Sequence, residues 1–256
     1  MNSNPKISII TVSYNSQSTI KHTVNSVFSQ DYSNIEYLVI DGGSNDWTLD
    51  ILDHCDNIDY LVSEPDSGIY DAMNKGIIAS TGDIIGILNS DDFYPDNNVL
   101  SQVAKAFEES NCDCLYGDLL YVNKGNSRKI VRYWKSGLFN KQKLDDGWML
   151  PHPTFFVKKS VYDNYGLYNT ALKSAADYEM ILRLLYKNKL NVKYMNKIMV
   201  KMRMGGKSNR SIWNRIQANN EDSYAWKINS LARPLFIRFT KPFQKIRQFF
   251  IKPTSI

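Results

Sequence analysis

Four short runs dominated by β-branched and other apolar residues punctuate the first 90 residues: KISIITVSY (6–14), IEYLVID (35–41), IDYLVSE (58–64) and DIIGILNS (83–90). Their apolar character is nearly continuous, as expected of strands covered on both faces. Helical patterns separate them. Ile20, Val24, Val27 and Phe28 recur on one helical face. WTLDILDHC, IYDAMNKGIIAS and the stretch from about Asn98 to Glu109 supply three more helices. Strands joined by helices of this length form right-handed βαβ units, so the chain is expected to build an α/β fold on a parallel sheet. Ligands of open α/β sheets bind beyond the carboxyl ends of the strands. Those ends carry Ser13-Tyr14-Asn15, Asp41-Gly42-Gly43-Ser44, Glu64-Pro65-Asp66 and Asn89-Ser90-Asp91-Asp92, which should converge on one rim.

The pattern changes after about Tyr116. YGDLLYV and RKIVRYW read as paired strands around the turn NKGNS, and the loop-rich DDGWMLPHPTFF leads to a short strand and a helix. Tyr178, Ile181, Leu182 and Leu185 mark another helix after Asp177, and VKYMNKIMVKMRM reads as extended. GGKSNRS reads as a flexible loop.

Composition narrows the class. At 43% hydrophobic and 12% aromatic residues, the chain has the make-up of a folded globular protein. The net charge of +5 is mild, but seven Lys or Arg and no acidic residue lie from Lys227 to the C-terminus. That basic, aromatic tail suits an amphipathic element on an anionic membrane surface, with a packed C-terminal helix as the alternative. No nucleic-acid-reading motif accompanies the charge, so nucleic acid is not expected as a partner. The three cysteines form no disulfide framework or zinc pattern. Cys112 and Cys114 are expected as core thiols on one strand face. The N-terminus does not read as a signal peptide and no segment reaches the length of a membrane span, so the expected location is cytoplasmic, and peripheral on the inner face of the membrane if the tail binds lipid rather than packing on the domain.

Asp91 and Asp92 pose the chemical question. Adjacent carboxylates at the end of a buried strand repel and are costly to bury unpaired. No nearby lysine is placed to offset them, so a divalent cation held by carboxylate oxygen is the economical partner; a solvated turn is the alternative. The first strand is followed by neither GxGxxG nor GxxxxGK[ST], which argues against a dinucleotide fold or a P-loop. NSQSTIKHT also lacks the glycine- and Lys/Arg-rich loop expected of a nucleotidyltransferase.

TVSYNS, VIDGGSND, SEPDSGIYDAMNKGI and GDIIGILNSDD occur in this order and spacing, and together they resemble the family 2 glycosyltransferases of the GT-A fold over residues 5 to 210. The resemblance implies a GT-A domain at 1–210, with a nucleotide-sugar half at 1–116 and an acceptor half at 117–210, followed by a helical basic tail at 211–256. It implies an inverting, metal-dependent transferase that uses Mn²⁺ or Mg²⁺. Its donor would be a nucleotide sugar, UDP-linked. Its acceptor would be a glycan or polyprenyl-linked saccharide of surface polysaccharide synthesis. A non-catalytic sugar-nucleotide-binding or scaffold protein of the same fold is the alternative, against which Asp92 and Asp177 both speak.

By the same resemblance, Asp92 is the metal ligand and Asp91 contacts ribose or supports the metal. Tyr14 and the backbone at Val12 form part of the base pocket. Asp41 opens an element that reads DGGS, with Gly42 where uridine binders commonly have a second carboxylate, which leaves the base open. Asp66 and Lys75 match the loop and helix that close over the nucleoside, with structural roles as the alternative. Inversion needs a base for the acceptor hydroxyl, and Asp177 in KSAADYEMILRL matches it, with a simple helix cap as the alternative and Glu179 as a weaker candidate. His152 is open between a structural role and contact with substrate or metal. Gly205 and Gly206 resemble a loop that folds over the diphosphate. No histidine follows His152, so the diphosphate and water would complete the metal's coordination.

Overall fold

The computed structural model describes residues 4–205, 212–234 and 248. The first half is built as expected: β1 (Ile7–Ser13), α1 (Ile20–Phe28), β2 (Ile35–Asp41), α2 (Thr48–Leu52), β3 (Tyr60–Ser63), α3 (Ile69–Ala79) and β4 (Ile84–Ile87). β1 pairs in parallel with β2 on one side and β4 on the other, and β2 pairs in parallel with β3. All four carboxyl ends therefore point to one rim. β1 is buried throughout and feeds both faces: Ile7 and Ile9 enter one hydrophobic cluster, Ile10 and Val12 the other. α3 lies so close to β1 that a Cβ on Gly76 would come within 2.4 Å of Ile10 Cγ2. Glycine is required here by proximity rather than by backbone angle.

The strand read over 83–90 is shorter than expected, and a second one follows it. β4 stops at Ile87, a turn closes as Asp92 N donates to Asn89 O (2.9 Å), and β5 (Asp92–Phe93) follows before α4 (Val99–Glu109). Asp92 thus lies in a second strand instead of hanging from the first.

The second half continues the sheet with β6 (Cys114–Val122), β7 (Ile130–Trp134), β8 (Phe156–Lys158) and the twelve-residue β9 (Val192–Arg203). Its helices are α5 (Lys141–Asp145), α6 (Lys159–Tyr165), α7 (Ala176–Ile181), which runs into a π-turn at Leu182–Lys187, and α8 (Ile212–Ile228). The strand order is β3-β2-β1-β4-β8-β6-β9-β5, with β7 on β6. Beyond the parallel first four strands the sheet is mixed, because β8 runs antiparallel to both β4 and β6 while β9 runs parallel to β6. One core lies between the sheet and α1 and α4, the other between the sheet and α3, α6, α7 and the end of α8.

Cys112 and Cys114 are both buried, as expected of core thiols, but they do not share a face. The strand begins only at Cys114, so Cys112 joins the cluster on one side of the sheet and Cys114 the cluster on the other. Within the stretch read as a tail from 211, Ala225 and Trp226 are fully buried. Trp226 Nε1 donates to Tyr178 Oη (2.9 Å) and its ring meets Tyr186 edge-on at 5.0 Å. Beyond Pro234 only Gln248 is described, and its carbonyl accepts from Tyr133 N (3.1 Å) on β7. Gly206 and the phenylalanines of the tail lie outside the described residues.

Candidate active site

The joint between β1 and β2 is locked by Asp41. Its buried carboxylate accepts from Ser13 Oγ (2.7 Å), Ser44 N (2.7 Å), Ser44 Oγ (2.6 Å) and Ser63 Oγ (2.8 Å). Burial works to raise its pKa, but these four hydrogen bonds outweigh it and hold the carboxyl below the usual carboxylate range. Val12 lies buried in register with Ile40, and Tyr14, the next residue after the strand, is 47% exposed. Asp66 reaches over the joint from the loop after β3. Its Oδ1 accepts from Gly68 N (2.8 Å), and a Cβ on Gly42 would stand 2.4 Å from its Oδ2. Lys75 braces that loop from α3, pairing with Glu64 (2.7 Å) and donating to Pro65 O (3.2 Å).

One strand over, the turn at Asn89–Asp92 is pinned to the β1–α1 region. Ser16 Oγ and Ser90 Oγ are 2.7 Å apart, and Thr23 Oγ1 donates to the carbonyls of Ser90 and Asp92. Asp92 is fully buried. Burial first, and then the charge of Asp91, push its pKa well above the usual range, while Asn89 and Arg203 pull the other way. Asp91 is raised by burial too, with Arg203 and Lys124 opposing.

No lysine or arginine close in sequence offsets this pair. The structure supplies Arg203, at the end of β9, 112 positions along the chain from Asp91. It donates to the Asp91 carbonyl, bonds to His22 Nδ1 and lies 4.7 Å above the Phe93 ring. No local pattern marks it: only the pairing of β5 with β9, Asp92 opposite Met202, brings it there.

Arg203 does not satisfy every oxygen. Asp92 Oδ1 and Asn89 Oδ1 are buried without a hydrogen-bond partner, although Asn89 Nδ2 donates to Asp92 Oδ2 (3.3 Å). Neighbouring oxygen acceptors with no donor are a donor set for a hard divalent cation, so the residues fit Mg²⁺ or Mn²⁺. Among the described residues no cluster of three or more His, Cys, Asp or Glu forms a complete metal site. Such a cation would take its remaining ligands from substrate phosphate and water.

Asp177 comes from the other half of the chain. It is half-buried in the first turn of α7, and its Oδ1 accepts from Tyr70 Oη (3.1 Å) and Tyr178 N (2.9 Å). Tyr70 stands at the start of α3, two residues after Gly68, so the Asp66 loop and Asp177 share a support that the sequence did not reveal. Glu179 is occupied elsewhere, buried and paired with Arg183 (3.0 Å) and Asn229 (3.0 Å). His152 is buried, with a ring nitrogen 2.6 Å from Tyr168 Oη, and Tyr168 stacks on Tyr70. Burial lowers the His152 pKa against the pull of Asp177, which keeps the imidazole neutral at pH 7. These contacts make His152 part of the packing around the Tyr70–Asp177 pair.

The profile of Glycosyl transferase family 2 matches residues 8–166, from β1 through α6. An uncharacterized glycosyltransferase of Mycobacterium tuberculosis is 35% identical over 189 residues, covering 72% of this chain and 70% of that protein. A PGL/p-HBAD biosynthesis glycosyltransferase of Mycobacterium bovis is 28% identical over 211 residues, 80% of each chain. Among solved structures, TarS 1–349 of S. aureus in complex with UDP superposes with a TM-score of 0.68 at 20% identity, over 98% of this chain and 73% of that one. The mannosyltransferase PcManGT of Pyrobaculum calidifontis, in complex with GDP-Man and Mn²⁺, gives 0.63 at 16% identity, over 95% and 74%. The two structures share the fold, and the profile and sequence relatives carry the rest: this chain is a GT-A-fold glycosyltransferase and belongs to glycosyl transferase family 2.

Proposed function

We propose that the chain is an inverting, metal-dependent transferase that moves a sugar from a UDP-linked donor to a hydroxyl of a glycan or lipid-linked saccharide. The observation that carries this reading is Asp92 Oδ1, a fully buried carboxylate oxygen left without a partner at the carboxyl rim of the sheet. Mg²⁺ or Mn²⁺ bound there, with Asp91 alongside, would neutralise the charge that grows on the diphosphate leaving group. Tyr14, the Val12 backbone, Asp41, Asp66 and Lys75 form the nucleoside end, with Asp41 and Lys75 shaping the walls through the hydrogen bonds described above. Asp177 keeps Oδ2 for the acceptor. It takes the hydroxyl proton as the new oxygen–carbon bond forms on the face of the anomeric carbon opposite the breaking bond to phosphate, and the nucleoside diphosphate departs with the electron pair. The solved relatives bound to UDP and to GDP-Man with Mn²⁺ support a metal–nucleotide donor. The basic, aromatic stretch after Pro234 would hold the enzyme against the inner face of a membrane, where a polyprenyl-linked acceptor of surface polysaccharide synthesis resides.

The test is donor hydrolysis and transfer across UDP-sugars and GDP-sugars, in Mn²⁺ and in EDTA. Turnover of a UDP-sugar that EDTA abolishes is expected. Asp177→Asn should cut transfer by about 10²–10⁴-fold while calorimetric binding of UDP stays unchanged. Full turnover in EDTA overturns the metal role, and full transfer by the Asn variant removes Asp177 as the base.

A further inference from the structure

At the joint of β1 and β2 one carboxylate is spent and the other is not. Asp41 turns both oxygens inward to three serines. Asp66 uses only Oδ1, on its own loop, at Gly68 N. Its Oδ2 accepts no hydrogen bond among the described residues. This oxygen stands where a side chain on Gly42 would have to go: an added Cβ would lie 2.4 Å from it, 3.2 Å from Asp66 Cγ and 3.6 Å from Ser13 O. The missing side chain at 42 is therefore what admits a carboxylate from the neighbouring loop onto the strand ends. Two features hold it there. Lys75 ties the loop to α3 through Glu64 and Pro65, and Gly42 N donates to Ser13 O (2.8 Å), which closes the strand joint beneath it.

Tyr14 continues β1 where Gly42 continues β2, since Ser13 and Asp41 are in register. Tyr14 is about half exposed. A half-exposed aromatic residue at the end of β1 and a carboxylate oxygen at the adjoining end of β2 suit a planar ring that carries a single N–H on its recognition edge. We infer that Asp66 reads the nucleobase, with Oδ2 accepting the imide N3–H of uracil. The inference rests on the nucleotide-sugar reading above and names the residue that selects the base. Cytosine would present a lone pair at the same position and be repelled. Guanine presents two parallel N–H groups that call for both oxygens of a carboxylate, and Oδ1 is already engaged.

The experiment is calorimetric titration in Mn²⁺ of the full chain with UDP, N3-methyl-UDP, CDP and GDP. Wild type should bind UDP about tenfold to a hundredfold more tightly than the other three, the effect of one hydrogen bond to a charged acceptor. In Asp66→Asn the amide can donate to the cytosine lone pair, so the preference for UDP over CDP should vanish or reverse. Gly42→Ala keeps the charge but pushes the carboxylate aside, and it should lose the same discrimination. Thermal melts check that both variants are folded. Equal binding of UDP and N3-methyl-UDP by wild type, a preference for GDP, or an unchanged UDP-to-CDP ratio in folded Asp66→Asn overturns the assignment while leaving the transferase reading intact. Failure of wild type to bind any of the four nucleotides overturns both.

Discussion

Replacing Arg203 by methionine tests whether the Asp91–Asp92 turn depends on a cation. Methionine keeps an unbranched side chain over the Phe93 ring, so packing changes little and the charge is what is lost. Arg203 is 9% exposed, donates to the Asp91 carbonyl and opposes the charges of Asp91 and Asp92. A hydrogen bond from a charged donor contributes about 1.5–3 kcal/mol, and stripping a buried charge of its partner costs about 3–5 kcal/mol. The variant should therefore lose about 3–5 kcal/mol, and at about 2–4 °C per kcal/mol for a chain of this size its Tm in EDTA should fall by roughly 6–20 °C at pH 7.5.

The sign of the pH dependence follows from Asp92. Its folded-state pKa is raised above the unfolded value, so the folded protein binds the proton more readily and gains stability as pH falls. Without Arg203 that rise is larger, so the deficit should shrink between pH 7.5 and pH 5. Mn²⁺ without nucleotide should recover more Tm in Arg203→Met than in wild type, because it replaces the lost charge. The assay is differential scanning fluorimetry over this grid of pH and metal. A folded variant that melts within 2 °C of wild type in EDTA, or gains no more than wild type from Mn²⁺, would refute the argument.

Glu36 provides a second pH test at the opposite end of the sheet. Burial opposes its ionisation, but hydrogen bonds from Ser8, Thr81 and Lys6 prevail and hold its pKa at about 2 against 4.5. Its contribution is complete above pH 4.5 and is lost as pH falls towards 2, so the Tm gap between wild type and Glu36→Gln should close over that window; a constant gap contradicts the assignment. Truncation after Pro234 should release the protein from anionic liposomes while leaving transfer to a short soluble acceptor in place. Equal liposome binding by both forms would end the membrane reading, and a truncated form that no longer folds would make the segment part of the domain.

The parallel half was legible because each of its elements announces itself locally. IEYLVID became β2 from its first residue to its last, and the spacing of Ile20, Val24 and Val27 gave the buried face of α1. The strand-end clusters were legible through topology, since parallel strands must present their carboxyl ends together. What could not be read depends on pairings between distant segments. β5 has two residues, too few for any pattern, and exists because β9 passes beside it. Arg203 and Tyr70 act on residues 112 and 107 positions away in sequence. Cys112 and Cys114 alternate as strand residues would, but the strand starts between them, and spacing alone does not report where a strand starts.

The position of β9 also sets an order of assembly during synthesis. β6 lies between β8 and β9, and β5 pairs with β9 in the sheet, so neither is complete until residues 192–203 have left the ribosome. Until then a nascent chain already holding β1 to β4 would carry two uncompensated carboxylates and one long bare strand edge. Such an edge invites pairing with another chain, and contacts this distant are formed late. A fragment ending near residue 166 would stay in that state permanently. The donor-side half is thus a poor candidate for expression on its own, and chaperone demand should peak just before β9 emerges.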